Sequence, residues 1–427
     1  MRTGRRRVVT LGLTTVLGGL AGCTGSNDDE TDQSPDSTTQ TEATTESTPA
    51  TDAESTTDDP TTEEETTATG NGVDDSWPSF QYDAANTGWN PNAEGPRDGL
   101  DERWRVELTY DLSSAEPTVA GETVVVSTNT GALYAFDAET GDERWRYTTD
   151  GSINGSAAIA DGTVYVADAA SKLHAVALES GTAAWTADLA GGTGINSPVV
   201  ANGTVFVGTR EIFDGDEAAV QAFDAETGDE RWTTPVEGEG ATGAAVESGT
   251  VYVGYTDGGL AALDAADGTE NWRADTAEIA YPPTVADGTV FVATDDAAVR
   301  AFDVADGRSL WSTGDSGTGS PAVADGRVFA PANTELSCYD PVDGTELWAV
   351  DAIGTFRTPT AADGTVYAGT DEETLYALSI EDGTERWSTE FEDDDPTPMA
   401  VVGDWAYFGF TGLDNGEIRG YGPAEDA

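Results

Sequence analysis

His174 is the only histidine in 427 residues, and Cys23 and Cys338 are the only cysteines. That scarcity bounds the chemistry. Zinc sites draw mainly on Cys and His and c-type haem needs Cys-x-x-Cys-His, so neither is expected. Ser-His-Asp catalysis would have to use His174, and nothing in the sequence points to a paired nucleophile. Acid oxygens are plentiful, with 80 Asp and Glu, yet no loop has the regular ligand spacing of an EF-hand. No catalytic residue and no metal ligand is assigned, and no cofactor is expected.

The two cysteines have different surroundings. Cys23 ends Leu20-Ala21-Gly22-Cys23, which resembles a lipobox, in which the thiol is lipidated and becomes the mature N-terminus. Residues 1–22 read as an export signal: a basic start, an apolar stretch from Val8 to Leu20, and small residues before the cysteine. Arg5, Arg6 and Arg7 followed by Val8 and Val9 resemble a twin-arginine signal. The apolar run is shorter than the ~20 residues a membrane span needs. Residues 23–75 form a lipidated, acidic, Thr/Ser-rich tether, expected to be disordered because it has too little apolar surface to offset chain entropy. The expected location is the outer face of the cytoplasmic membrane. Cys338 stands at a strand position that other repeats fill with alanine, and reads as a small buried residue.

Lys172 is the only lysine, and the formal charge is −61. Acid residues run through the whole chain, so they do not form a single binding patch. Their repulsion is screened where the Debye length falls to roughly 3 Å in molar salt, which points to a salt-adapted, haloarchaeal-type source. Nucleic acid is excluded as a partner, because phosphate binding needs clustered Lys and Arg.

The elements that would position any site come from a repeat. Trp104, Trp145, Trp185, Trp232, Trp272, Trp311, Trp348 and Trp387 recur at intervals of 41, 40, 47, 40, 39, 37 and 39 residues. Seven of them follow one phrase, as in Ala135-Phe136-Asp137-Ala138-Glu139-Thr140-Gly141 before Trp145. Period-two alternation, as in Thr163-Val164-Tyr165-Val166, predicts strands with one buried face. Asp161-Gly162, Asn202-Gly203 and Asp287-Gly288 predict two-residue hairpin turns. The expected fold is all-β: an eight-bladed β-propeller of four-stranded antiparallel blades over residues 76–427. Trp104 has no inner strands before it, and residues 399–421 supply three strands with no outer strand after them. The last blade is therefore expected to be closed by the N-terminal strand.

The phrase Ala-x-Asp-x-x-Thr-Gly-x-x-x-Trp resembles the tryptophan-docking motif of the pyrroloquinoline-quinone-repeat propellers, and the opening Trp77-Pro78-Ser79-Phe80-Gln81-Tyr82-Asp83-Ala84-Ala85-Asn86-Thr87-Gly88 is similar to their first segment. The resemblance implies that the eight tryptophans are structural, each docking on a neighbouring blade. It also implies two functional branches. Quinoprotein alcohol or sugar dehydrogenases hold pyrroloquinoline quinone with calcium under a ring of adjacent cysteines, and no Cys-Cys pair occurs here. BamB-type lipoproteins are scaffolds without catalysis, and lipid anchor and blade number match them. The expectation is a cell-surface scaffold with surface or membrane protein partners. The alternative is a quinoprotein dehydrogenase or a small-ligand-binding propeller. Ligands in such folds sit over the central channel, where the connections place Asn154, Asn196, Tyr281 and Arg357. Ile212 and Phe213, at the tip of an enlarged hairpin, are a second candidate contact.

Overall fold

The structure, a computed structural model, describes residues 76–108, 112, 115–192, 196–211, 217–236, 238, 240–392, 395–411 and 416–422. The export signal with Arg5, Arg6 and Arg7, the tether with Cys23, and the hairpin tip with Ile212 and Phe213 lie outside the described residues.

All named elements are strands, arranged as eight sheets. Blade 1 consists of Thr118–Ala120, Thr123–Ser127, Ala132–Asp137 and Glu143–Thr148, each antiparallel to the next. Blades 2 to 7 repeat that order, beginning with the inner strands Ala158–Ala160, Val199–Ala201, Ala241–Glu247, Thr284–Ala286, Ala322–Ala324 and Thr360–Ala362. Blade 8 joins the two ends of the domain, as expected: Asp101–Glu107 pairs with Glu417–Gly422, which pairs with Trp405–Thr411, which pairs with Ala400–Val402. Each inner strand touches the next, and the eighth returns to the first, so the ring is closed.

One expectation is revised. The second strands are not buried on one face only; Thr123–Ser127 and Thr204–Gly208 are buried throughout. Each blade is sandwiched between two others, so both faces of its middle strands are covered. The alternation survives in the outer strands, as in Glu143–Thr148, where Trp145 is buried between exposed neighbours.

The predicted turns have the backbone they require. Asp161 and Gly162 have φ of 47° and 73°, the left-handed pair that suits the twist of a two-residue hairpin.

The tryptophans of the outer strands reach the neighbouring blade. In each outer strand the indole faces a small residue across the sheet: Ala135 opposite Trp145, Cys338 opposite Trp348 and Gly420 opposite Trp104. A β-bulge follows that pair in each blade, turning the indole toward the next blade. The ring then lies on the following blade's docking glycine, where a Cβ on Gly141 would come within 2.8 Å of Trp104. Indole N–H groups donate to carbonyls of that same turn, Trp104 to Ala138 at 2.8 Å and Trp272 to Val304 at 2.9 Å. The inter-blade hydrophobic clusters are thus pinned at their rim by a directional bond.

Candidate functional site

The channel is the place where eight inner strands present unpaired edges to one another. Residues 77–90 fill that place. Carbonyl oxygens of Trp77, Pro78, Ala84, Ala85, Thr87 and Gly88 accept hydrogen bonds from the amides of Val119, Ile159, Val246, Val285, Val323 and Ala361, at 2.6–2.9 Å. Those amides belong to the inner strands of blades 1, 2, 4, 5, 6 and 7, in each case to the residue one before the strand's last. Blade 8 is met by the Asn90 side chain, which donates to Val401 O at 2.9 Å, and Trp89–Asn90 pairs in parallel with Thr360–Ala362. The segment is a plug that curls once around the axis, taking a bond from one blade after another. Its tight curl uses positive φ at Gln81, Tyr82 and Asn86, an uncommon conformation that the surrounding bonds hold in place.

Two plug side chains reach across the ring. Asn86, fully buried, donates to both Ala244 O and Pro283 O at 2.9 Å, joining blades 4 and 5. Gln81 donates through its backbone N–H to Glu116 Oε2 at 2.8 Å and through Nε2 to Pro321 O at 3.1 Å, so it links blade 1 to blade 6.

Glu116 belongs to a ring of positions just before the inner strands, where other blades carry Ser156, Ser197, Ser320 and Thr358. The hydroxyls of Ser156, Ser197 and Thr358 receive backbone amides from the preceding blade, from Glu116 at 3.0 Å, Ser156 at 2.9 Å and Ser320 at 3.3 Å, whereas the Ser320 hydroxyl donates to Pro282 O at 3.1 Å. Glu116 is the one acid among them and is 2% exposed. Burial pushes its pKa up to about 8, against the lowering effect of the Gln81 amide, so at neutral pH it is mainly a neutral acid.

The four channel-face candidates take different places. Asn196 is buried and donates to Gly208 O and Ala241 O at 2.9 and 2.8 Å, which makes it a bridge between blades 3 and 4. Asn154 donates to Ser152 Oγ at 3.2 Å within its own connection. Tyr281 feels the charge of Arg357: burial raises the phenol pKa and the Arg357 charge opposes the rise. Arg357 donates to Asp395 at 3.3 Å, while its Nε is buried without a partner. A guanidinium with an unused donor suits a carboxylate or phosphate oxygen.

His174 is packed, as its alignment with Tyr134 and Tyr376 suggests, and it is also hydrogen-bonded. Its Nε2 lies 3.1 Å from Asp168 Oδ2 and its Nδ1 3.1 Å from the Tyr147 hydroxyl. Asp168 is itself fixed by the amides of Ala170 and Lys172, both at 3.0 Å. Burial raises the Tyr147 pKa, which disfavours a phenolate nucleophile, and the Tyr-His-Asp line ties blade 1 to blade 2. Cys338 is fully buried and its thiol is pushed up to about 12 by burial.

The role of the plug escaped the sequence reading, because its segment occurs once and bonds through backbone carbonyls that any residue possesses. Glu116 was findable, since superposing the repeats puts an acid where other blades carry Ser, Thr, Gly or Pro.

Comparison with known proteins places this geometry. The family model of outer membrane protein assembly factor BamB matches residues 95–215, 216–319 and 313–425. BamB of Moranella endobia is 26% identical over 292 residues, covering 64% of this chain and 66% of that protein. The matched region thus spans just under two thirds of that relative's own length. The quinohemoprotein alcohol dehydrogenase ADH-IIG of Pseudomonas putida is 29% identical over 185 residues, covering 37% of this chain and 26% of the enzyme. Among solved structures, BamB from Moraxella catarrhalis superposes with a TM-score of 0.64 at 17% identity, over 76% of this chain and 100% of that one. The quinohemoprotein alcohol dehydrogenase from Comamonas testosteroni gives 0.70 at 16% identity, over 82% and 81%. At such identities the superpositions show the fold alone, whereas the family model covers most of the sequence. This chain belongs to the BamB family of PQQ-repeat β-propellers.

Proposed function

We propose that this protein is an exported, lipid-anchored scaffold that binds surface or membrane protein partners on the outer face of the cytoplasmic membrane and catalyses no reaction. The observation that carries the reading is the plug. A channel whose inner edges are bonded to the chain's own residues 77–90 is built as a rigid hub more than as a reaction chamber. The BamB relatives, named as assembly factors, support the same direction.

The alternative, a quinoprotein alcohol or sugar dehydrogenase, draws on the dehydrogenase relatives. It would require pyrroloquinoline quinone with calcium. The residues do not fit that pair. Trp77, Gln81 and Asn86 fill the channel, and the buried acid there, Glu116, is held protonated by burial and engaged by Gln81. Among the described residues, no three His, Cys, Asp or Glu side chains converge to hold a metal ion.

Isothermal titration of pyrroloquinoline quinone into the folded chain, with and without calcium, separates the readings. No saturable heat is expected. One-to-one binding that requires calcium would overturn the scaffold reading and direct work to dye-linked oxidation of alcohols and sugars.

A further inference from the structure

The plug leaves one blade uncovered. Between Pro78, bonded to blade 2, and Ala84, bonded to blade 4, the chain turns away through residues 79–83, and no plug carbonyl takes the Val200 amide among the described hydrogen bonds. Val200 pairs with Val205 as Val119 pairs with Val124, so its N–H faces the axis as that of Val119 does. It is half-buried, whereas Val119, Ile159, Val246, Val285, Val323, Ala361 and Val401 are all buried.

A cleft of about 250 Å³ opens there, lined by Pro78, Ser79, Tyr82, Ala158, Ile159 and Val200. The Ser79 hydroxyl borders it, 6% exposed as a residue and without a hydrogen-bond partner. Asp83 lies on the same cleft, and its charge and that of Asp287 both act on Glu247. Asp83 accepts from the amides of Ala85 and Thr87 and from the Thr87 hydroxyl, neutral donors all, and none of the three carboxylates has an ion pair among the described residues.

We propose that the inner strand Val199–Ala201 is a docking edge for an extended, basic segment of a partner protein. The incoming backbone supplies the carbonyl that the plug withholds, and an open strand edge is the element to which extended peptides add. A small apolar side chain sits against Ala158 and Ile159, the Ser79 hydroxyl gains a backbone partner, and a Lys or Arg of the segment is drawn by the acidic charge of Asp83 on the cleft and of Glu247 and Asp287 beyond it. The proposal rests on the scaffold reading and specifies where that scaffold grips.

The test is residue-resolved amide exchange of the full chain, folded by its circular dichroism, with acetyl-Arg-Val-Arg-Val-Arg-amide or its Glu counterpart as probe. Without peptide, the Val200 amide should exchange at least about tenfold faster than those of Val119 and Val285. The basic peptide should slow it by about tenfold or more, the acidic one should not, and Val119 and Val285 should be unmoved. The double variant E247Q/D287N, which leaves the strand intact, should weaken the basic peptide's binding.

Three results overturn the proposal. Val200 protection at every protein concentration would mean that the chain's own preceding segment fills the edge. Protection that grows with concentration would mean a second copy. A Val200 rate indifferent to saturating basic peptide would mean no such docking. If that last result came with a protein partner captured elsewhere by crosslinking, the scaffold reading would stand and this edge alone would fall. Calcium-dependent quinone binding would remove the scaffold reading whatever Val200 does.

Discussion

Trp387 donates its indole N–H to the carbonyl of Pro96 at 2.9 Å, across 291 positions of sequence. Seven indoles bond to the docking turn of a following blade. Blade 8 lacks that turn, since its outer strand comes from the N-terminus, and Pro96 stands in for it. The bond therefore closes the ring at the same seam as the pairing of Asp101–Glu107 with Glu417–Gly422.

Trp387→Ala should cost about 3–5 kcal/mol, from the lost burial and the cavity left behind. Trp311→Ala, at a seam formed within the continuous chain, sets the comparison. Urea titration of both variants checks the loss. An additional fall in the slope for Trp387→Ala would indicate that the closing seam opens before the rest, because the slope scales with the surface exposed in the cooperative step.

Asn86→Ala should destabilise the domain by about 2–4 kcal/mol, since Ala244 O and Pro283 O are both left buried without their donor. Amide exchange at Val246 and Val285 should rise, as their acceptors Ala84 and Ala85 precede the lost anchor. Unchanged exchange at both would show that the backbone bonds hold the plug unaided.

Why the girdle was legible and the plug was not has a physical basis. Docking needs an indole, a small residue opposite and a glycine turn, so Trp145, Ala135 and Gly181 leave a pattern that repetition amplifies. The plug needs only carbonyls at suitable spacing, and the residues it meets, such as Val119 and Val285, look like any inner-strand valine. The channel-face candidates were placed by connection alone. Connection puts Asn154, Asn196, Tyr281 and Arg357 in homologous loops, but only side-chain packing decides that Asn196 turns inward to Gly208 and Ala241 while Arg357 reaches Asp395.

Glu116 makes stability depend on pH. Its pKa is about 8 in the folded chain against an ordinary value near 4.5 in the unfolded one. Between those values the folded state binds more protons than the unfolded one, so its stabilising contribution is full below about pH 4.5 and is lost as pH rises through 8. The slope from this one group is at most about 1.4 kcal/mol per pH unit. Glu116→Gln removes it while keeping an acceptor for the Gln81 amide. The stability difference between the two chains should shift in favour of the variant from pH 5 to pH 8, by urea titration at each pH. A difference independent of pH would mean that Glu116 is ionised in the folded state.

Cys338 should be silent toward thiol reagents until the domain unfolds. It is 0% exposed, lies opposite Trp348, and burial pushes its pKa up to about 12, so neither access nor thiolate is available. In a Cys23→Ser chain the reaction with Ellman's reagent should follow global unfolding and accelerate with urea in parallel with the loss of strand signal. Cys338→Ala installs the residue that blades 1 to 5 and 7 carry opposite the indole, as Ala135 stands opposite Trp145, and should change stability by no more than about 1 kcal/mol. Fast labelling of the folded chain would instead reveal local opening between blades 6 and 7, where Trp348 leaves its own sheet to bond Ile380 O at 3.0 Å.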